Sequence, residues 1–295
     1  MATKRSWVAI LRNPKSGAGR GRWELLELVS ELRRRGLQPR LFSHRERLQQ
    51  RLTEPVLRER LLCVVAAGGD GTVGDVINRY PDLPIAVLPL GTENLLARYL
   101  RIPRSGRLVA QMIADGRTRR IDLGRAGNRR FAIMASLGFD ADVIHRAHAR
   151  RSGHVSRLSY LQPIWQSLRN YEYPVLRLYL DGAETPIRAR LAVLANLPTY
   201  ALGLPMADSA CDNDGLLDLR LFQRHSAFQM FRYFYKVASG RHERLIDVTS
   251  LRARQIRIES DRPVPIQVDG DPAGWTPVEI RVLPAALELF VPPAE

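Results

Sequence analysis

The chain has 295 residues, 45% hydrophobic and 25% charged, which excludes a disordered protein and leaves room for two domains. Its 45 basic and 30 acidic residues give a net charge of +15, almost all from arginine, since Lys4, Lys15 and Lys236 are the only lysines. The two cysteines, Cys63 and Cys211, have no metal-ligand spacing and exclude a disulfide framework. In chain order, WVAIL at 7–11 predicts a short buried strand. That run is too brief for a signal-peptide core, and no apolar run could span a bilayer, so a cytoplasmic, soluble chain is expected. Residues 23–35 set Leu25, Leu28, Val29 and Leu32 on one helical face, and Gly36 ends the pattern. A strand at 38–43, a charged leucine-bearing stretch at 45–60 broken at Pro55, a strand at 61–66 and a helix at 73–80 follow. Then come a strand at 85–88, a loop at 89–94 and a helix opening at 95–100. Strands alternating with helices predict a parallel sheet, with ligands beyond the carboxyl ends of its strands.

From about Asp122 the texture changes to short alternating runs at 175–180, 190–195, 217–222, 255–259 and 279–283. Asp-Gly turns punctuate them at 181–182, 214–215 and 269–270, and two helices are expected near 154–170 and 227–239. The expected fold class is α/β, with an N-terminal parallel-sheet nucleotide-binding domain and a C-terminal antiparallel, β-sandwich-like domain.

Three glycine-bearing turns follow strands of the first domain: NPKSGAG at 13–19, GGDGT at 68–72 and PLGTEN at 89–94. Glycines let backbone N–H groups approach an anion, and a following helix adds its positive end. Neither the Walker nor the G-x-G-x-x-G pattern is present, and one such turn alone would be an ordinary strand-to-helix connection. Three at successive strand ends point to phosphate, with Asp70 as the partner of a phosphate-bound Mg²⁺.

NPKSG, GGDGT and PLGTEN, in this order and spacing, resemble the catalytic domain of diacylglycerol kinases and sphingosine-kinase-like lipid kinases. IDLG at 121–124, SLGFDADV at 136–143, DNDGLLDL at 212–219 and VDGD at 268–271 continue the resemblance over nearly the whole chain. GGDGT alone also occurs in NAD kinases and phosphofructokinases. The resemblance implies an ATP-binding domain at 1–123, with segment 284–295 a candidate to complete it, and a lipid-substrate domain at 124–283. It implies that ATP lies between the two domains and that its γ-phosphoryl group passes to a lipid hydroxyl, diacylglycerol first. Nucleotide-site candidates are Asn13, Ser16, Gly68, Gly69, Asp70, Gly71, Thr72, Thr92 and Asn94, with Lys15 either a phosphate partner or a plain loop charge. The catalytic base falls on Asp271, with Asp269 orienting it; read without the resemblance, Asp269, Gly270 and Asp271 form a hairpin turn. A structural Mg²⁺ is implied at Asp214 with the main-chain oxygens of Cys211 and Leu216, the alternative being a polar turn without metal.

Several positions depart from the family pattern. GTGN-D has become Gly91, Thr92, Glu93, Asn94 and Leu95; Gly74 and Asp75 replace an asparagine and a glutamate; the base is aspartate rather than glutamate; and only Gly203 remains of a glycine cluster after Asn196. These changes keep open a catalytically silent lipid- or nucleotide-binding homologue. A soluble NAD or sugar-phosphate kinase fits the second-domain motifs less well. A nucleic-acid binder would explain the charge but leaves three phosphate turns unexplained, so no nucleic acid is expected. The leading expectation is an ATP- and Mg²⁺-dependent lipid kinase at the inner membrane face, drawn there by its basic surface at roughly 1 kcal/mol per nearby arginine. A homodimer is compatible with it. Trp165, Tyr171, Tyr173, Phe228, Phe231, Tyr233 and Phe234 are candidates for a lipid entrance or for plain core, and FQMFRYFYK at 228–236 mixes aromatic and basic residues as interfacial segments do.

Overall fold

In a computed structural model that describes residues 6–12, 21–150, 157–200 and 203–293, the chain divides into two compact units, Met1–Ile121 with Ala286–Glu295 and Asp122–Ala285. In the first unit the apolar runs become strands: β1 (Trp7–Arg12), β2 (Gln38–Phe42), β3 (Leu61–Gly68) and β4 (Ile85–Pro89). They lie parallel in the order β2-β1-β3-β4. Each connection is helical: α1 (Arg22–Arg34) before β2, α2 (Arg45–Leu52) and α3 (Pro55–Arg60) before β3, and α4 (Asp70–Arg79) before β4. Pro55 starts a new helix rather than merely interrupting one, since a proline is tolerated in a first helical turn. Two helices follow β4, α5 (Leu95–Tyr99) and α6 (Gly106–Asp115), and then β5 (Thr118–Ala126). Sequence reading missed α6, although Ser105 caps it by accepting the Leu108 N–H and Gly116 closes it at φ 72°. Val8, Ile10, Val64, Val65, Ala86 and Leu88 are fully buried, as continuous apolar strands of a parallel sheet should be.

The second unit holds β6 (Arg129–Phe131), β7 (Met134–Leu137), α7 (Phe139–Ala149), α8 (Leu161–Asn170), β8 (Leu176–Leu180), β9 (Ile187–Ala189) and β10 (Leu191–Ala195). Beyond these come two short strands, β11 (Thr199–Tyr200) and β12 (Leu204–Pro205), then β13 (Leu217–Phe222) and α9 (Ala227–Ala238). The last strands are β14 (Val248–Ala253), β15 (Gln255–Ser260), β16 (Pro265–Val268), β17 (Asp271–Trp275) and β18 (Val278–Phe290). One antiparallel sheet runs β14-β13-β10-β7-β16-β17, and antiparallel pairing also joins β18, β15, β8 and β9. Leu194, Leu219, Ile266, Leu178, Ile256 and Ile280 meet in a single core between these strand sets. The expected parallel α/β part followed by an antiparallel β part is therefore what the chain forms. β18 is far longer than the five residues expected, and its last residues also pair in parallel with β4, Leu289 opposite Ile85. Residues 154–156 of the helix expected at 154–170 lie outside the described residues.

Helix α9 is fastened by one carboxylate. Asp247, 4% exposed, accepts Arg232 Nη1 at 2.8 Å, Arg232 Nη2 at 3.1 Å and the Tyr233 hydroxyl at 2.7 Å. The Arg232 bonds hold its pKa down at about 2, with Tyr233 adding to the effect against the cost of burial. A carboxyl so far below its unfolded value contributes about 2 kcal/mol of stability, present in full above about pH 4 and lost as pH falls through its folded value. Urea unfolding of wild type and Asp247→Asn checks this: the gap between them narrows by about 2 kcal/mol from pH 7 toward pH 2. A gap independent of pH would remove Asp247 as its source.

Candidate active site

The register of the first sheet explains why its turns meet. Gly68 lies opposite Pro89, so β3 and β4 end together, and the Leu90 N–H donates to the Gly68 carbonyl at 2.9 Å. The turns that follow pack backbone on backbone. A Cβ on Gly91 would come 2.5 Å from the Gly69 Cα and 2.8 Å from the Asn94 Oδ1, so no side chain fits there. Asn94 locks the second turn: its Oδ1 accepts the Gly91 N–H and its Nδ2 donates to the Gly91 carbonyl, both at 2.9 Å. It adopts φ 50°, a conformation asparagine tolerates better than most residues. One acceptor lone pair and one N–H of the amide expected at the nucleotide are thus used within its own turn.

Helix α4 begins at Asp70, three residues earlier than expected, so Asp70, Gly71 and Thr72 form its first turn. The carboxylate of Asp70 reaches the start of α5, accepting the Leu96 N–H at 3.4 Å. Burial pushes its pKa up, the N–H groups of Leu95 and Leu96 pull it back, and the charge of Glu93 adds to the rise. Glu93 in turn lies 3.9 Å from Arg98. Thr72 is 5% exposed, and its hydroxyl has no hydrogen-bond partner among the described residues, whereas Thr92 is exposed. A Cβ on Gly71 would meet nothing within 4 Å among the described residues, so none of them covers the first turn of α4 at that point. Asp75 pairs with Arg45 at 3.0 Å and Arg79 at 2.8 Å. Asn13, Lys15 and Ser16 lie outside the described residues.

In the second unit, Asp269 and Gly270, at φ 48° and 84°, make the two-residue connection between β16 and β17, with Val268 opposite Asp271. The hairpin reading of this motif holds for the backbone. Asp269 does more than turn: its Oδ2 accepts the Ala132 N–H at 2.8 Å, and its Oδ1 accepts those of Ile133 at 2.9 Å and Met134 at 3.0 Å. It clamps the hairpin onto the start of β7. The side chain of Asp271 remains 32% exposed, 3.9 Å from Arg129 Nη2 and 4.0 Å from His148 Nδ1. A partly hydrated carboxylate at this position can accept a proton from a bound hydroxyl.

The 211–216 loop is held by Asp122 of IDLG, whose carboxylate accepts the N–H groups of Gly215 and Ala285, both at 2.7 Å. The Oδ1 of Asp214 accepts the Leu216 N–H at 3.0 Å, and its Oδ2 lies 3.9 Å from Arg252. The thiol of Cys211 donates to Asn213 at 2.9 Å. Among the described residues no three His, Cys, Asp or Glu side chains gather as metal ligands. A cation at Asp214 would therefore depend on main-chain oxygens.

Sequence reading missed Arg129 and His148, which no short-range pattern links to Asp271. It also missed a buried chain of hydrogen bonds. Gln267, paired across the sheet with Ser136, accepts the Gly270 N–H at 2.9 Å and donates to the Ser136 hydroxyl at 2.8 Å. Ser136 and Tyr200 both donate to Asp140, at 2.7 and 2.9 Å. Burial raises the pKa of Asp140 and these donors oppose it. Beside it Asp142 accepts Arg146 and Ser167, each at 2.6 Å, and the buried hydroxyls of Tyr171 and Tyr173 have no partner among the described residues. The visible hint was SLGFDADV itself, two aspartates at the head of a helix.

Comparison with known proteins fits this arrangement. Residues 7–126 match the family model described as the diacylglycerol kinase catalytic domain, and residues 133–291 match the YegS C-terminal NAD kinase beta sandwich-like domain. The diacylglycerol kinase of Mycobacterium tuberculosis strain H37Rv is 30% identical, over 97% of this chain and 95% of that protein. The chain belongs to the diacylglycerol kinase family. A diacylglycerol kinase of Staphylococcus aureus strain MRSA252 is 25% identical over 98% of this chain and 93% of its own. A crystal structure described as a diacylglycerol kinase from Bacillus anthracis shares the fold at a TM-score of 0.73, with 21% identity and 98% of each chain covered. As a member of the diacylglycerol kinase family the protein is a lipid kinase, with ATP as phosphoryl donor and a lipid as acceptor. Among the described residues no helix is long and apolar enough to cross a membrane.

Proposed function

We propose that the protein transfers the γ-phosphoryl group of ATP to the free hydroxyl of diacylglycerol, as the names of its relatives suggest for them. The observation that carries this is the paired turn at Gly69 and Gly91: two side-chain-free backbones stacked at the ends of adjacent strands, beside the start of α4. Gly68, Gly69, Asp70, Gly71, Thr72 and Thr92, with Asn13 and Ser16, serve the triphosphate, the orphan hydroxyl of Thr72 being a ready donor. Asn94 acts by holding the turn. Mg²⁺ accompanies the triphosphate with Asp70 as its protein partner; mutual repulsion of Asp70 and Glu93 favours a cation there. A second Mg²⁺ at Asp214, with the carbonyls of Cys211 and Leu216, would brace the 211–216 loop.

In the reaction Asp271 takes the proton of the acceptor hydroxyl as its oxygen bonds to the γ-phosphorus, and ADP leaves. Asp269 positions Asp271 by clamping the hairpin. The basic surface brings the protein to the anionic inner face of the membrane as a peripheral enzyme. Incubation with γ-labelled ATP, Mg²⁺ and a panel of lipid alcohols in mixed micelles tests this. Diacylglycerol is expected to take the label; ATP binding with no labelled lipid would instead mark a silent homologue.

A further inference from the structure

We propose that the outward face of α9 is the protein's membrane-docking surface, and that its occupant is a bilayer rich in anionic lipid. Met230, Tyr233 and Val237 form the buried stripe of α9, at the expected i, i+3, i+7 spacing. The other side is apolar too: Phe228 is 73% exposed, Phe231 58%, Phe234 57% and Tyr235 68%. Gln229, Arg232 and Lys236 lie between the two apolar faces, so the helix carries a second apolar face that has no core to cover it. Ile246, 92% exposed, adds to the apolar surface directly beside Asp247, the anchor of the helix. Asp247 fixes the aromatic row to the body of the unit, so docking need not order it first.

The charges around this face select the occupant. Segment 223–247 carries Arg224, Arg232, Lys236, Arg241 and Arg244 against two acids, Glu243, which is bonded to Arg220 at 2.6 Å, and Asp247, which holds Arg232 and lies 3.4 Å from Arg224. Arg224, Arg241 and Arg244 are exposed. Aromatic side chains ringed by arginine and lysine match the acyl and headgroup layers of an anionic membrane. A second copy fits poorly, because a two-fold contact would bring like-charged rims together. The inference rests on the proposed acceptor being a membrane lipid.

The test is co-sedimentation with vesicles of phosphatidylcholine, with and without phosphatidylglycerol. Partitioning of Phe228→Ala/Phe231→Ala/Tyr235→Ala is expected to fall about tenfold or more. Arg241→Gln/Arg244→Gln loses binding to phosphatidylglycerol vesicles but not the weak binding to phosphatidylcholine, and salt mimics it. The three aromatic side chains are more than half exposed, so the thermal midpoint should be unchanged; should it fall, the charge variant decides. Turnover of dispersed short-chain diacylglycerol should survive both variants while turnover of vesicle-embedded substrate drops. If wild type phosphorylates neither substrate, the kinase assignment fails and vesicle binding still judges α9. Unaltered vesicle binding by the aromatic variant overturns the proposal, as does a wild-type dimer that becomes monomeric in that variant without loss of vesicle binding.

Discussion

Asp271→Asn is expected to lower the rate of lipid phosphorylation about 10²- to 10⁴-fold, the ordinary contribution of a general base, with ATP binding intact. The carboxylate is suited to the role because part of it is open to solvent. It is a third exposed, and its neighbours, Arg129 and His148, stand 3.9 and 4.0 Å away. Such loose, hydrated pairs contribute about 0–1 kcal/mol, so the variant should unfold close to wild type. Loss of turnover with unchanged stability is then a chemical defect, not a folding one. Asp271→Glu keeps a carboxylate and lengthens its reach by a methylene, so it should retain far more activity than the asparagine. If Asp271→Asn turns over at the wild-type rate, the base lies elsewhere, and His148 is the next titratable group at hand.

Asp269→Ala should behave in the opposite way, with a stability loss of about 3–5 kcal/mol seen in urea unfolding. Three backbone donors, on Ala132, Ile133 and Met134, are 2–4% exposed and lose their acceptor together. Charge-assisted bonds of this kind are worth about 1.5–3 kcal/mol each, though neighbours in one cluster do not add. Alanine also fits poorly at φ 48°, at a cost of about 1 kcal/mol. Asp269→Asn tolerates that backbone and keeps one acceptor oxygen, so its loss should be intermediate. A change under about 1 kcal/mol for the alanine variant would show that the clamp is not what holds the hairpin. The two aspartates stand two residues apart, yet one should fail in turnover and the other in folding.

The motif that joins them shows how far a linear reading reaches. Asp-Gly between two apolar runs is a hairpin signal, and a hairpin forms. Which of its carboxylates turns inward depends on β16 pairing with β7, whose residues lie about 130 positions earlier in the chain. Asn94, whose amide faces its own turn, and α4, which begins at Asp70 directly after its N-cap Gly69, are by contrast arranged within a few residues. The helices at Gly106–Asp115 and Phe139–Ala149 do carry local signals, a serine cap before one and a glycine before the other.

By itself the sequence determined the two-part architecture and the chemistry to expect. Continuous apolar strands joined by amphipathic helices form a parallel sheet, alternating runs between Asp-Gly turns form antiparallel ones, and both signals lie within a few neighbouring residues. Glycine-rich turns at strand ends likewise announce phosphate locally. Tertiary structure alone decided that Gly69 and Gly91 touch and that Asp269 grips the start of β7. It also placed Arg129 and His148 beside Asp271 and left the aromatic row of α9 uncovered. Each of these follows from strand register or from what happens to pack on a face, and both are set by the summed burial of residues far apart in the chain.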